Sequence, residues 1–307
     1  MKNGSLYSKS TTEKIFYFFL ICLLGKLLFS GLSFYACSFF FNIDLHELSG
    51  TKTLTINEVR AYKTAAVFDQ LGTFLFPAIL FCYLFGKSPT YYLNLNPFKK
   101  KLFLIIPITL TVMYICSFAL IEINKIIDFS FLGESLLNRF LTSQEFLEKI
   151  HYSFIGVSPI NLIGCVFIMA LLPALCEEFV FRGILQHLFS NWFKSVHIGV
   201  VFSAIIFAVL HFQFFNLLAL LFIGVLLGYI VCLTNNLWTS ILLHFFYNLT
   251  SLLTIFLEKK SMISTSIESG SVSIYIPIIV LLLCLFLLVL MFRKNHSFAL
   301  IKEKYSH

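Results

Sequence analysis

The chain has 307 residues, of which 59% are hydrophobic, 17% aromatic and only 12% charged. Soluble domains have about 25% charged residues and group their apolar residues on one face of each element, so this composition excludes a water-soluble globule. The formal net charge of +7 comes from basic residues that are scattered through loops and tails. Because these residues form no run with stacking aromatics, we expect no nucleic-acid partner.

Apolar runs of membrane-spanning length dominate the sequence. A helix needs about 20 apolar residues to cross the hydrocarbon core, and a helix satisfies its own backbone hydrogen bonds in lipid. The runs also lack the alternation of barrel strands. We therefore predict an all-α polytopic membrane protein with about eight transmembrane helices, at about residues 15–41, 65–85, 102–123, 160–188, 198–213, 215–233, 237–257 and 274–292. The fifth run is short, so a bent or re-entrant arrangement with the sixth stays open.

The loops predict how the chain is oriented. The N-terminal tail, the even-numbered loops and the C-terminal tail carry more Lys and Arg than the odd-numbered loops, which favours both termini in the cytoplasm. The long loop at 124–159 contains amphipathic stretches. It is either a helix along the membrane interface or an ordinary solvent-exposed connector.

Charged residues inside the apolar runs are the informative ones, because each costs roughly 2.5–3.5 kcal/mol at the middle of a span. The single charges Lys26 and Asp69 are expected to snorkel to an interface or to pair with another helix. The fourth run differs, since it holds Glu177, Glu178 and Arg182 within six residues. Glu178 and Arg182 have the i,i+4 spacing of an ion pair, and Glu177 projects about 100° away round the helix.

Two later runs add imidazoles and an amide. His211 ends the fifth run, and His244 and Asn248 are spaced i,i+4 in the seventh, so the latter two share one helix face. Packing these helices together would bury all the polar groups against each other. Hydrolysis of an amide requires a base for water and donors for the developing oxyanion. We therefore predict Glu177 as the base, His211 as the residue that orients water, and His244 and Asn248 as the oxyanion donors.

Three motifs resemble the CPBP family (CAAX protease and bacteriocin-processing, or Abi) of intramembrane endopeptidases, relatives of the type II CAAX prenyl endopeptidase. They are EExxxR at 177–182, FxxxH at 207–211 and HxxxN at 244–248. The resemblance implies a glutamate-dependent intramembrane peptidase of a bacterial cell membrane, without a cofactor, that acts on a membrane-associated, prenylated or other peptide. It implies that Glu178 and Arg182 are a supporting pair.

The resemblance also divides the chain. It implies a catalytic core at 160–257, in helices four to seven. N-terminal helices and the long loop would occupy 1–159, and a last helix with a basic tail would occupy 258–307.

Two alternatives stay open at this point. Glu177, His211 and His244 have the His₂Glu composition of catalytic zinc sites, so a zinc-dependent protease is possible with the same residues. A non-hydrolytic bacteriocin immunity protein or transporter would use these residues as a proton relay. The HExxH motif of zinc proteases is not encoded, because the His46-Glu47 pair lacks the second His.

Overall fold

The regular structure is helical wherever the chain is described. The computed structural model describes residues 4–44, 54–86, 89–97, 102–130 and 133–262, and no strand occurs in these ranges. The long helices are α1 (Thr11–Phe41), α2 (Ile56–Phe85), α3 (Leu102–Asn124), α4 (Glu134–Phe154), α5 (Pro159–Trp192), α6 (Val196–Leu210), α7 (Leu217–Thr234) and α8 (Leu237–Lys259). The predicted all-α polytopic membrane fold is confirmed.

Six of the predicted spans coincide with helices that are long and apolar enough to cross a membrane, namely Thr11–Phe41, Ile56–Phe85, Ile106–Asn124, Pro159–Trp192, Phe214–Thr234 and Leu237–Lys259. The fifth predicted span is shorter than expected. Helix α6 has 15 residues, and its rise of about 22 Å is less than the hydrocarbon thickness of about 30 Å. It ends at Leu210 because Phe212 has a φ of 52°, in the left-handed region. The span expected at 274–292 lies outside the described residues.

Local sequence explains where several helices begin. Ser10 and Glu13 form a capping box at the start of α1, in which the Ser10 hydroxyl accepts from the Glu13 amide and the Glu13 carboxylate accepts from the Ser10 amide. Thr55 and Glu58 form the same arrangement at the start of α2. The loop at 124–159 contains helix α4, and the alternative of a solvent-exposed connector stays open. Its placement along the membrane interface stays a prediction.

The described residues form two compact units. The first unit comprises Met1–Leu93, Glu145–Val180 and Asn248–Ile263, as far as these are described. Its core contains a cluster of buried apolar residues from α4, α5 and α8 that consists of Ile150, Phe154, Ile155, Cys165, Leu252 and Phe256.

Helices α1 and α2 approach closely inside the first unit. A Cβ on Gly25 would overlap the Gly72 carbonyl oxygen, so the crossing requires glycine at this point. Beside it, the Lys26 ammonium forms an ion pair with the Asp69 carboxylate, which also accepts a 3.1 Å hydrogen bond from the Thr73 hydroxyl. Of the two roles expected for Lys26 and Asp69, the structure therefore shows pairing between helices.

The second unit comprises Asn94–Gln144 and Phe181–Tyr247, as far as these are described. Apolar residues of α3, α7 and α8 form its core, namely Ile106, Met113, Ile223, Leu226, Leu227, Ile230 and Leu243. The buried amide of Asn124 accepts from the Leu218 amide and donates to the Phe214 carbonyl, which ties the end of α3 to the start of α7.

Glycines on α7 let α6 pack closely against it. A Cβ on Gly224 would lie 2.8 Å from the Ala204 Cβ, and a Cβ on Gly228 would lie 2.9 Å from a Val200 methyl group. The two glycines are four residues apart and therefore lie on the same face of α7. This spacing is the small-residue pattern by which membrane helices bring their backbones together.

Gly224→Ala tests this contact. We expect it to lower the free energy of unfolding by about 1–3 kcal/mol, because the added methyl group overpacks the contact with Ala204. The matched control is Gly164→Ala on α5, where the added Cβ meets nothing within 4 Å. The control is expected to stabilise the protein slightly, since alanine favours helix over glycine. Thermal unfolding in detergent measures both, and equal midpoints would contradict a close contact between Gly224 and Ala204.

Candidate active site

Glu177 and Glu178 lie in the middle of α5 and are buried, with 6% and 0% of their surface exposed. They end a regular stretch, Leu172–Glu178, between π-helical turns at Val166–Leu171 and Phe179–Leu185. A third π-helical turn, Leu71–Leu75, occurs in α2. Such turns, with i→i+5 hydrogen bonds, are frequent at functional sites.

Two of the three π-helical turns have a local cause in the sequence. Pro77 follows the turn in α2, and Pro173 follows the first turn in α5. A proline lacks the backbone N–H and its ring clashes with the carbonyl four residues earlier, which here belongs to Thr73 or Met169. Widening the turn before each proline relieves that clash.

The Glu177 carboxylate has a partner from α2 within the first unit. The Gln70 side-chain amide donates a 2.9 Å hydrogen bond from Nε2 to Glu177 Oε1. A carboxylate oxygen accepts, so the amide nitrogen must face it, which fixes the orientation of the Gln70 side chain. Asn248, the last residue of the third motif, also belongs to this unit and is half-buried in α8.

Arg182 ties α5 to α7 within the second unit. Arg182 is 4% exposed. Its guanidinium donates from Nη2 to the Gly224 carbonyl over 3.1 Å and lies 4.6 Å from the centre of the Phe207 ring. Gln186 repeats the pattern one turn later, because its amide donates to the Gly228 carbonyl over 3.2 Å. The two glycines that allow close packing of α7 therefore also present the carbonyls that these side chains reach.

Phe207, the first residue of the FxxxH motif, is a shared contact for polar residues of all three motifs. Its ring is buried and lies under the Arg182 guanidinium. The His211 ring is 4.5 Å away between centroids, and the His244 ring is 5.9 Å away in an edge-on arrangement. One aromatic ring thus orders a guanidinium and two imidazoles inside the second unit.

His211 is held in a defined orientation directly after α6. Its Nδ1 lies 2.7 Å from the Phe207 carbonyl oxygen. Because a carbonyl oxygen only accepts, Nδ1 carries the hydrogen, and Nε2 of the neutral ring keeps its lone pair. His211 is therefore able to accept a hydrogen bond from water at Nε2. His244 is more deeply placed in α8, with 4% of its surface exposed.

The predicted residues fall into two groups. The second unit brings Arg182, His211 and His244 together around Phe207. The first unit holds Glu177, Glu178 and Asn248. The expected meeting of Glu177 with the imidazoles, and the expected Glu178–Arg182 ion pair, stay predictions.

Two helices carry members of both groups. Helix α5 carries Glu177 and Glu178 together with Arg182, and α8 carries His244 together with Asn248.

Three of the predicted site residues have side chains of the types that bind metal ions. Glu177, His211 and His244 have the composition of a catalytic zinc site. Among the described residues, no group of three or more His, Cys, Asp or Glu side chains is arranged to hold a metal ion. A zinc-dependent mechanism stays an alternative for experiment.

Three side chains at these groups were not predicted. Gln186 follows Arg182 by four residues in the same apolar run, so its place on the polar face was readable from the sequence. Phe207 was identified only as the first position of the FxxxH motif. Gln70 is adjacent to Asp69 in the second run, but its partner is 107 residues away in sequence, and no local pattern indicates that contact.

Comparison with known proteins agrees with the three motifs. Residues 159–250 match the family model described as type II CAAX prenyl endopeptidase Rce1-like. No curated protein and no solved structure matches the chain. The matched range contains all six predicted site residues, and the resemblance is confirmed: residues 159–250, called the Rce1-like segment below, are similar to the type II CAAX prenyl endopeptidases.

Proposed function

We propose that the chain is an intramembrane endopeptidase that hydrolyses a peptide bond in a membrane-associated or prenylated peptide. The observation that carries the proposal is the convergence of Arg182, His211 and His244 on the Phe207 ring, because it joins residues of three separate motifs within an Rce1-like segment. The apolar helices support a substrate that reaches the enzyme in the bilayer. We place the enzyme in a bacterial cell membrane with both termini cytoplasmic, as the loop charges predict.

In the proposed reaction, Glu177 acts as the general base. It takes one proton from water while the water oxygen attacks the carbonyl carbon of the scissile bond, and the carbonyl electron pair moves to oxygen. Collapse of this tetrahedral intermediate restores the C=O bond and breaks the C–N bond. The proton held by Glu177 goes to the leaving nitrogen, so the products are a carboxylic acid and an amine.

The other motif residues have matching roles. His211 keeps the lone pair of Nε2 because Nδ1 donates to Phe207, so it can orient the attacking water. His244 and Asn248 are four residues apart on α8, a rise of about 6 Å, and both present N–H donors from one face. Donors of this kind stabilise the oxyanion of the tetrahedral intermediate. Glu178 and Arg182 support the segment, with Arg182 bound to α7.

Glu177→Gln tests the base. We expect cleavage of a farnesylated, fluorescence-quenched peptide ending in a CAAX sequence to fall at least about 10²-fold in liposomes, because the amide cannot accept the proton from water. The control Glu145→Gln alters an exposed glutamate of α4 and should retain activity. Full turnover by Glu177→Gln would remove the proposed base.

A second readout covers other peptide substrates. Mass spectrometry of membrane peptides compares cells that express the wild type with cells that express Glu177→Gln. New peptide termini should occur only with the wild type. Identical peptide profiles, together with no cleavage of the farnesylated probe by the wild type, would contradict a peptidase.

His244→Ala and Asn248→Ala test the oxyanion donors. Each substitution is expected to lower kcat by about 10²–10³-fold with little change in KM, because the donor acts on charge that develops in the transition state. Asn191→Ala, at an exposed asparagine of α5, is the matched control. An effect on KM alone would assign His244 and Asn248 to substrate binding instead.

Metal removal separates the glutamate mechanism from the zinc alternative. We expect purified protein to keep its activity after treatment with a chelator, since water activation by Glu177 requires no Lewis acid. Elemental analysis of the same sample measures bound zinc. Stoichiometric zinc, with activity lost on chelation and restored by added zinc, would instead establish the His₂Glu site.

A further inference from the structure

We propose that Gln70, on α2 and outside the Rce1-like segment, is a positioning residue for the Glu177 carboxylate. The inference rests on the proposed role of Glu177 as the base. It starts from the 2.9 Å hydrogen bond that Gln70 Nε2 donates to Glu177 Oε1. Glu177 is only 6% exposed, so a single fixed hydrogen-bond donor has a large influence on the orientation of its carboxylate.

The contacts of α2 with α1 determine where Gln70 points. Asp69, the preceding residue, is paired with Lys26 of α1, and Gly72 lies against Gly25 of the same helix. These contacts fix the rotation of α2 about its own axis on both sides of Gln70. Because neighbouring side chains on a helix project about 100° apart, Gln70 points away from α1 when Asp69 points towards it.

The hydrogen bond gives the two carboxylate oxygens of Glu177 different roles. Oε1 accepts from Gln70, so we assign the acceptance of a proton from water to Oε2. A carboxylate that is free to rotate would present either oxygen and spend part of its time misaligned. A fixed partner avoids this loss, since misplacement of a catalytic group by about 1 Å costs about 10²-fold in rate.

Glutamine suits this role better than a charged donor. Its amide holds the carboxylate with a neutral N–H and leaves the negative charge available to attract a proton. A lysine at this position would form an ion pair with Glu177 and compete with water for the carboxylate. The oxygen of the same amide, Gln70 Oε1, is buried and makes no hydrogen bond within the described residues. Among these residues, no hydrogen bond to this oxygen competes with Glu177 in orienting the amide.

Gln70→Met tests the inference with the farnesylated peptide probe in liposomes. Methionine has a similar length but no donor, so we expect kcat to fall about 10- to 100-fold, with KM changed less than about twofold. Gln70→His restores an N–H donor at similar reach and is expected to recover part of kcat. A purely structural role would lower the thermal midpoint and would not split kcat from KM in this way.

The matched control is Gln144→Met. Gln144 is also buried, but it accepts from the Phe215 amide in the second unit and contacts none of the motif residues in the hydrogen bonds described. Its loss should lower the thermal midpoint while kcat per folded molecule stays at the wild-type value. An equal fall of kcat in Gln144→Met and Gln70→Met would overturn the assignment.

The outcomes separate this inference from the proposed function. If Glu177→Gln is inactive and Gln70→Met has wild-type kcat, the positioning role is wrong and the base stands. If Glu177→Gln is fully active, Glu177 is not the base, and the positioning role of Gln70 fails with it. If the wild type cleaves no peptide, the proposed function itself fails. Should Gln70→Met not accumulate, Gln70→Glu replaces it, because glutamate has the size of glutamine and at neutral pH lacks the N–H. Wild-type kcat in Gln70→Glu would then overturn the positioning role.

Discussion

Polar side chains inside apolar helices need partners, and in this chain those partners determine how the helices pack. Lipid offers no hydrogen bonds, so an unpaired polar group there costs several kcal/mol. Lys26 has Asp69, Glu177 has Gln70, and Arg182 has the Gly224 carbonyl and the Phe207 ring. Each of these contacts joins two different helices. The polar groups therefore specify which helices meet, while glycines on the contacting faces set how closely they meet.

The sequence predicted the fold class well, because the cost of polar groups in lipid acts on every residue of a span. The six long spans follow from length and hydropathy alone. The end of α6 at Leu210 could not be predicted, since the apolar run continues beyond it and the helix ends where Phe212 adopts a left-handed backbone. The π-helical turns were also missed. Periodicity arguments assume about 100° per residue, and only a proline after two of these turns gave a local sign.

The predicted site residues could be identified from the sequence because charges and imidazoles are rare inside apolar runs. Their contact partners were harder to identify. The Gln70–Glu177 contact is long-range and Gln70 is uncharged, so nothing in the local pattern distinguishes it from a solvated glutamine. Phe207 shows the opposite case, where an apolar residue organises polar ones. Its ring lies against Arg182, His211 and His244, which no count of polar residues would have indicated.

The wide turn at Phe179–Leu185 bears on how freely this part of the chain can vary in length. A π-helical turn amounts to one extra residue inserted in an α-helix. Deletion of a single residue there would convert it to ordinary α-helix without breaking the helix, because the wide turn accommodates the extra residue by an increase in the number of residues per turn. The interval from Phe179 to Leu185 is therefore a place where α5 holds one residue more than a regular α-helix of the same length would.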